Sequence, residues 1–464
     1  MTSPWFHPEP RERPEVVWGG FWPYIIFYIV IQAISAAIVV AAWPKGKPAA
    51  TADFVFAMLM PALFVTIIVG GFFHYFSFER PLTRVIEWNR LCDKRRYYWH
   101  RWAQSRLAIV TSTMLAPEDA IAERMLGLEG SAPANPDKIL PLELAVPAGM
   151  TRLAYVLDLM LQPLAQTVRQ LQQTGEFRVI LQTGRQADLD ELQRAMRKLD
   201  MPLPNLSWIS GNDSAPMNRL WADDQTPSGS LLVLACQLHE GKEAPDCSEL
   251  ALALLLCHPD RLARGKLKPQ AYLYRPISVD TDALDTALAT LLRAEQTPPK
   301  RLKHFWFSRL EKRTRHAVTT AVRDTGLTLG MQDIDRCLGK ASHASDWLPA
   351  VLAAQMLHHG QGSQLIATRD PLGVALNVVA PEVAGLSRPP PQAYAGITWV
   401  ASVFGLAGGG WLLDFMCAKG MPEDMFMAWW AYPVIALLLI VLGLVVEGLS
   451  LGQMILDFED RYFW

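Results

Sequence analysis

Residues 21–43 of this chain, FWPYIIFYIVIQAISAAIVVAAW, carry no charged side chain. At about 1.5 Å of rise per residue, a helix of this length crosses the roughly 30 Å hydrocarbon core of a bilayer. The run is too long for the core of a signal peptide, and no small-residue cleavage site follows it. We therefore predict a transmembrane helix here, with a buried core helix of a soluble protein as the alternative.

Three further apolar runs complete the pattern. Each is uncharged at its centre and long enough to cross a membrane, and they cover residues 54–76, 394–413 and 427–446. Pro61 lies inside the second run, where a proline can kink a membrane helix without breaking it. The sequence thus predicts two transmembrane hairpins, one at 20–76 and one at 387–447 that begins with the stiff linker SRPPPQ.

Positive charge is concentrated on one side of the second run. Eight Lys and Arg residues fall between positions 80 and 106, whereas the turns inside the two hairpins together offer only three lysines. Lys and Arg gather on the cytoplasmic side of a membrane, so the chain ends and the middle are predicted to be cytoplasmic. The predicted cytoplasmic parts are the N-terminal segment 1–19, the middle 77–386 and the C-terminal tail 448–464.

Residues 77–106 mix basic and aromatic side chains and are predicted to form a helix beside the membrane. In the functional interpretation, its basic residues attract anionic headgroups, each contributing about 1 kcal/mol near the surface. The residues expected to bind the membrane surface are Arg90, Lys94, Arg95, Arg96 and Arg101. The alternative is a plain helical extension whose charge sets only the topology.

Charge and cysteine content narrow the classes of function. The net charge of −2 predicts no nucleic-acid partner. The six cysteines are scattered, with no CxxC pair and no Cys/His cluster at ligand spacing, so we predict a reducing compartment, no metal site and no cofactor. No Asp, Glu, Lys, Arg or His lies at the centre of an apolar run, which argues against a transporter.

Between the hairpins, residues 107–386 are predicted to form a soluble domain. Short apolar runs typical of strands alternate with stretches of helical spacing. Predicted strands include RLAIVTSTML (106–115), FRVILQTG (177–184), SLLVLACQL (230–238) and GVALNVVAP (373–381). The alternation predicts a layered α/β domain with helices packed on a mostly buried sheet, and loops at 131–141 and 295–304.

Six stretches of this domain follow one another in a recognisable order. They are SLLVLACQL (230–238), SELALALLL (248–256), RLARGKLKPQAYL (261–273), HAVTTAVRDTGL (316–327), SHASDWLPAVLAAQML (342–357) and QLIATRDPLGVALNVV (364–379). In order and spacing the succession from 177 to 380 resembles the thiolase-like proteins, the ketosynthase superfamily. The resemblance implies an α/β domain of two related halves about a pseudo-two-fold axis, here flanked by two pairs of transmembrane helices.

The catalytic residues of that family are mostly missing. Its members condense acyl groups with a cysteine thiolate that two histidines assist. The stretch expected to hold the cysteine, ISGNDSAPMNRL (209–220), offers Asp213 and Ser214 instead, and the predicted strand before SHAS, DIDRCLGKA (333–341), has no histidine. His343 matches one family histidine, so Ser214 and His343 have the only positional claim to catalysis. The alternatives are a helix-capping Ser214 and an ordinary polar His343.

The resemblance favours a protein that is not an enzyme. The chain is similar to degenerate thiolase-like proteins encoded beside type VI secretion effectors of Gram-negative bacteria. That implies a multi-pass adaptor or accessory protein of the bacterial inner membrane that binds a secreted effector, with a homo-oligomer as a further expectation. Two other classes stay open: a membrane-bound acyl-transfer or lipid-biosynthesis enzyme with an atypical site, and a membrane immunity or sensor protein.

Overall fold

The structure is a computed structural model, and its contacts divide the chain into two units. One unit combines Met1–Phe6 with Trp99–Leu386, and the other combines His7–Tyr98 with Ser387–Trp464. The structure describes residues 4–49, 51–201, 205–211, 217–221, 229–239, 244–381, 385, 400, 403–410 and 431–462.

The unit that contains the apolar runs is helical. Its elements are α1 (Trp22–Ala42), α2 (Ala52–His74), a π-helical turn (Tyr75–Glu79) and α3 (Arg80–Ala103). The last long helix of the chain also belongs to it and is numbered α13 (Ala431–Tyr462). Among the described residues, three helices are long and apolar enough to cross a membrane: Trp22–Ala42, the continuous Ala52–Ala103, and Ala431–Tyr462. These match three of the four predicted runs. The remaining run, 394–413, falls largely outside the described residues, although 403–410 are helical.

The predicted tail 448–464 is helical through Tyr462, because α13 continues past the apolar run. Met454, Phe458 and Tyr462 recur every four residues, so they share one face of the helix. Phe458 is fully buried, and with its neighbours it packs against Trp88 of α3. Beyond the apolar run, α13 therefore has a single hydrophobic face instead of being hydrophobic all round, and the packing of this face stabilises the helix.

The other unit is built on one mixed sheet. Its strands are β1 (Arg106–Leu115), β2 (Phe177–Thr183), β3 (Asn205–Ser210), β4 (Ser230–Gln237), β5 (Leu250–Cys257), β6 (Ala271–Tyr274), β7 (Ile277–Val279), β8 (Leu302–Phe307), β9 (Gly330–Asp333), β10 (Ser363–Asp370) and β11 (Gly373–Ala380). The strand order is β3-β2-β4-β5-β1-β6-β11-β10-β8-β9, and β7 pairs with β11.

This order contains an internal duplication. In the first half, β2 runs parallel to β3 and β4, and β5 is antiparallel to β4. In the second half, β8 runs parallel to β9 and β10, and β11 is antiparallel to β10. The central strands β1 and β6 pair antiparallel with each other and with β5 and β11, respectively. The order is therefore palindromic, which confirms the predicted pair of related halves.

Helices cover both faces of this sheet. They are α4 (Ile121–Met125), α5 (Arg152–Leu161), α6 (Ala165–Gln172), α7 (Asp188–Lys198), α8 (Pro259–Gly265), α9 (Leu284–Arg293), α10 (Lys312–Asp324), α11 (Ile334–Leu338) and α12 (Leu348–His358). On one face, α12 packs on strands of both halves. On the other, α5, α6 and α7 cover the first half, and α9 and α10 cover the second.

Two predictions about the second half are wrong. The predicted loop 295–304 includes the start of β8, whose Phe305, Trp306 and Phe307 are buried; Lys303 and His304, which follow Leu302, hid the strand. The predicted strand 333–341 is instead the end of β9 followed by α11. The carboxylate of Asp333 accepts a hydrogen bond from the backbone N–H of Arg336, which starts a helix at this point.

Candidate functional site

The carboxyl ends of β2, β3 and β4 meet at one edge of the sheet, because these strands run parallel. His343 reaches this edge from the second half, at the start of the 3-10 turn His343–Asp346. Its Nε2 lies 3.1 Å from the carbonyl oxygen of Cys236 in β4. A Cβ atom at Gly211, directly after β3, would lie 2.9 Å from its Nδ1. The imidazole therefore sits in a close contact between the two halves.

The environment of His343 fixes its protonation state. Its side chain is enclosed, with 8% of the residue exposed, and burial lowers its pKa to about 4. The ring is consequently neutral near pH 7. Because a carbonyl oxygen can only accept, the Nε2–H donates to Cys236, and the ring also makes a backbone hydrogen bond to Gln182 of β2.

Local hydrogen bonds hold the turn in place. The backbone N–H of Ser342 donates to the hydroxyl of Ser345 at 3.1 Å, one half of a capping box. The indole N–H of Trp347 donates to the side-chain oxygen of Gln182 in β2 at 2.7 Å. The start of α12 is thus tied to the first half of the sheet.

A buried ion pair lies on the other side of the turn. Arg309, after β8, contacts the carboxylate of Asp346 at 2.7 Å, and its backbone N–H donates to Asp335 at 2.8 Å. Burial raises the pKa of Asp346 to about 7, against the opposing charge of Arg309. Sequence reasoning did not identify these residues. The signal available was the Asp that follows His343 three residues later, on the same turn.

The predicted candidates Asp213 and Ser214 lie outside the described residues. The chain on either side of them is described. Gly211 abuts His343, and Asn218 donates from its side-chain amide to Ser278 at 2.8 Å. The segment that contains Ser214 therefore starts beside His343, but the structure does not bring a nucleophile to the imidazole within the residues it describes.

The five predicted membrane-surface residues differ in their exposure and in their contacts. Arg90, Lys94 and Arg101 are exposed, and their spacing places them on one face of α3. Arg95 donates to the backbone oxygen of Tyr462 at 2.8 Å. Arg96 pairs with Glu12 at 2.8 Å and with Asp93 at 3.1 Å. Arg96 is exposed as well, and Arg90 also pairs with Glu87 at 3.4 Å. Four of the five residues are therefore exposed, and three of the five, Arg90, Arg95 and Arg96, also make contacts within the protein.

In the part of the chain that the structure describes, no group of three or more His, Cys, Asp or Glu side chains could hold a metal ion. The five cysteines described there are free and buried. Burial raises the pKa of Cys236 and of Cys257 to about 12, so both stay as thiols near neutral pH.

No protein-family model and no curated protein matches this chain. Solved structures do resemble it. The oxazolomycin ketosynthase domain of Streptomyces albus is 12% identical with a TM-score of 0.42, over 63% of this chain and 100% of that one. A β-ketoacyl synthase from Burkholderia phymatum is 10% identical with a TM-score of 0.42, over 59% and 98%. Human mitochondrial 3-ketoacyl-CoA thiolase is 9% identical with a TM-score of 0.35, over 60% and 98%.

These similar structures are ketosynthases and a thiolase, at low identity. At such identities the likeness concerns the fold alone. None of the comparisons supports a link to type VI secretion.

Proposed function

We propose that this chain is a membrane-anchored, non-catalytic thiolase-like protein that acts as an adaptor for a protein partner. The observation that carries the proposal is the closed position of His343. Its Nε2–H is used on the Cys236 carbonyl, and its other ring nitrogen faces Gly211.

A serine nucleophile needs a general base, because its hydroxyl is far less acidic than a thiol. The base must lie within about 3 Å of the hydroxyl and have a pKa near the working pH. Burial holds the pKa of His343 near 4, which makes it a weak base at pH 7. An enzyme would also need an opening for the acyl thioester, whereas this imidazole is enclosed.

The test is a search for covalent chemistry in the full-length protein. Purified protein in neutral detergent is incubated with acyl-CoA and acyl-pantetheine thioesters, and its intact mass is measured. We expect no acyl adduct and no condensation product. An adduct that is present in the wild type and lost in Ser214→Ala would overturn the proposal and favour the acyl-transfer enzyme.

The partner remains part of the proposal, and a secreted effector of a type VI system is the candidate that the sequence resemblance implies. Affinity purification from native membranes identifies it. Partner capture should survive the double substitution Ser214→Ala, His343→Ala in protein that is still folded and inserted. Loss of capture only when exposed residues of the soluble unit are changed would support an adaptor surface.

Membrane anchoring with a cytoplasmic soluble unit is also proposed. It is supported by three helices that could cross a membrane and by the basic residues that follow α2. Reporter fusions at positions 48 and 420 should be periplasmic, and fusions at 200 and 464 cytoplasmic. A periplasmic signal at 200 would invert the topology.

A further inference from the structure

A cavity of about 290 Å³ opens in the helical unit, between the end of α2, the π-helical turn and α13. Most of its wall is apolar and includes Phe72, Phe76, Leu439, Leu442 and Val446. Leu442 and Val446 are 59% and 51% exposed, so the cavity opens along the outer surface of α13. Its volume is near the lower end of ligand sites, which is roughly 300 Å³.

One end of the cavity is polar, and the π-helical turn explains how. Tyr75 and Arg80 are five residues apart, a spacing that points side chains well apart on an α-helix but aligns them across a π-turn. The Tyr75 hydroxyl donates to Glu447 Oε2 at 2.9 Å, and Arg80 Nε lies 3.3 Å from the same oxygen. The turn thus directs both side chains to one carboxylate on α13.

A second guanidinium group lies next to the polar end. Arg84, one helical turn after Arg80, donates to the hydroxyl of Ser450 on α13. Arg80 therefore lines the cavity beside the Glu447 carboxylate, and Arg84 lies one helical turn beyond the cavity wall, where Ser450 holds it against α13. The Arg80 side chain is 28% exposed, so its remaining donors can reach another anion. Guanidinium groups bind phosphate oxygens through pairs of charge-assisted hydrogen bonds.

We propose that this cavity binds an anionic glycerophospholipid, with an acyl chain along the apolar wall and the phosphate on Arg80 and Arg84. The inference rests on the proposed membrane anchoring, because a cavity between spanning helices is reached by molecules dissolved in the bilayer. Basic pockets between membrane helices on the cytoplasmic side bind anionic lipid headgroups. The guanidinium groups of Arg80, in the wall, and of Arg84, one turn beyond it, favour an anionic lipid over a neutral one.

The experiment uses native mass spectrometry of the full-length protein in neutral detergent. Phosphatidylglycerol, phosphatidylcholine and inorganic phosphate are titrated separately. We expect phosphatidylglycerol to bind about tenfold more tightly than phosphatidylcholine, the difference that one charge-assisted contact supplies. Leu442→Trp, which fills the cavity, and Arg84→Gln should each weaken phosphatidylglycerol binding about tenfold.

Matched controls lie on the same helix. Leu444 has the same 59% exposure as Leu442 but does not line the cavity, so Leu444→Trp should bind like the wild type. Arg461→Gln removes an exposed charge near the end of α13 and should have no effect. Equal losses in Leu442→Trp and Leu444→Trp, or inorganic phosphate binding as tightly as the lipid, would overturn the lipid site.

Carbonate extraction of native membranes tests the membrane anchoring separately from the lipid site. Release of the wild-type protein by carbonate would remove the membrane anchoring, and the lipid site with it. Retention in the membrane combined with unchanged lipid binding in Leu442→Trp and Arg84→Gln would remove the lipid site alone.

Discussion

The two halves of the sheet share their strand order but differ in the segment that leads from their outermost strand back to the centre. In the second half, residues 334–362 provide α11, the His343 turn and α12. In the first half, the corresponding residues 211–229 form a shorter connection, whose described part includes the 3-10 turn Asn218–Trp221. The two halves thus share their strand arrangement but differ in the length of this connection, and the second-half connection supplies α12, which packs on strands of both halves.

The largest difference is expected in the core contributions of the two connections. Leu352 of α12 is fully buried, and Leu220 is 8% exposed in the first-half turn. We expect Leu352→Ala to lower the free energy of unfolding by about 2–5 kcal/mol, the cost of an unfilled core cavity. Leu220→Ala should cost clearly less. Denaturation of the purified protein is followed with a thiol-reactive dye that reports exposure of Cys236 and Cys257. Equal losses would show that both connections support the core alike.

A second test concerns acid sensitivity. The folded-state pKa of His343 is about 4 and its ordinary value is 6.5, so the unfolded chain takes up this proton first as the pH falls. The free energy of unfolding therefore has its full value, as far as His343 is concerned, above pH 6.5, and part of it is lost as the pH falls from about 6.5 to 4. At about 1.4 kcal/mol per pKa unit, the loss is on the order of 3 kcal/mol.

His343→Gln should lack this loss, so that its stability rises relative to the wild type as the pH falls from 6.5 to 4, since glutamine does not titrate there and can still donate to the Cys236 carbonyl. Asp346, whose pKa is raised to about 7, titrates in both proteins and does not account for the difference. His358→Gln, at the exposed end of α12, is the matched control and should leave the profile as in the wild type. Stability is measured in denaturant between pH 4 and 8. Identical profiles for the wild type and His343→Gln would contradict the enclosed, neutral imidazole.

The smallest expected effect tests the contact between the halves directly. Gly211→Ala places a methyl group 2.9 Å from the Nδ1 of His343, closer than packed atoms tolerate. We expect a loss of about 1–3 kcal/mol, typical of overpacking. In a double-mutant cycle with His343→Ala the two changes should be non-additive, with the second relieving the first. Additive losses would mean that the residues do not press on each other in solution.

The sequence contained enough information for most elements but not for their long-range contacts. The runs now seen as β4, β5, β10 and β11 are apolar and bounded by turn residues, so each was predicted. β3 was missed because NLSWIS forms an edge strand with only one fully buried side chain, and its three serine and asparagine residues weaken the apolar pattern.

The site was predicted only in part, for a similar reason. His343 could be found because it belongs to the SHASD stretch. Its imidazole contacts the backbone carbonyl of Cys236 and occupies the space that Gly211 leaves by having no side chain. Neither feature can be recognised in a sequence. Asp346 and Arg309 are 37 residues apart, so their pairing depends on the folded position of β8 relative to α12.

The central position of β1 also affects how the chain folds while it is being synthesised. β1 ends at Leu115, whereas its neighbours β5 and β6 begin at Leu250 and Ala271. At about 5–20 residues per second, a ribosome needs on the order of ten seconds to supply the first of these partners. During that interval an apolar strand has two unpaired edges, which are prone to aggregation. The strand order therefore leaves the nascent chain prone to aggregation during this interval. Chaperone capture should concentrate on chains that end between residues 115 and 250.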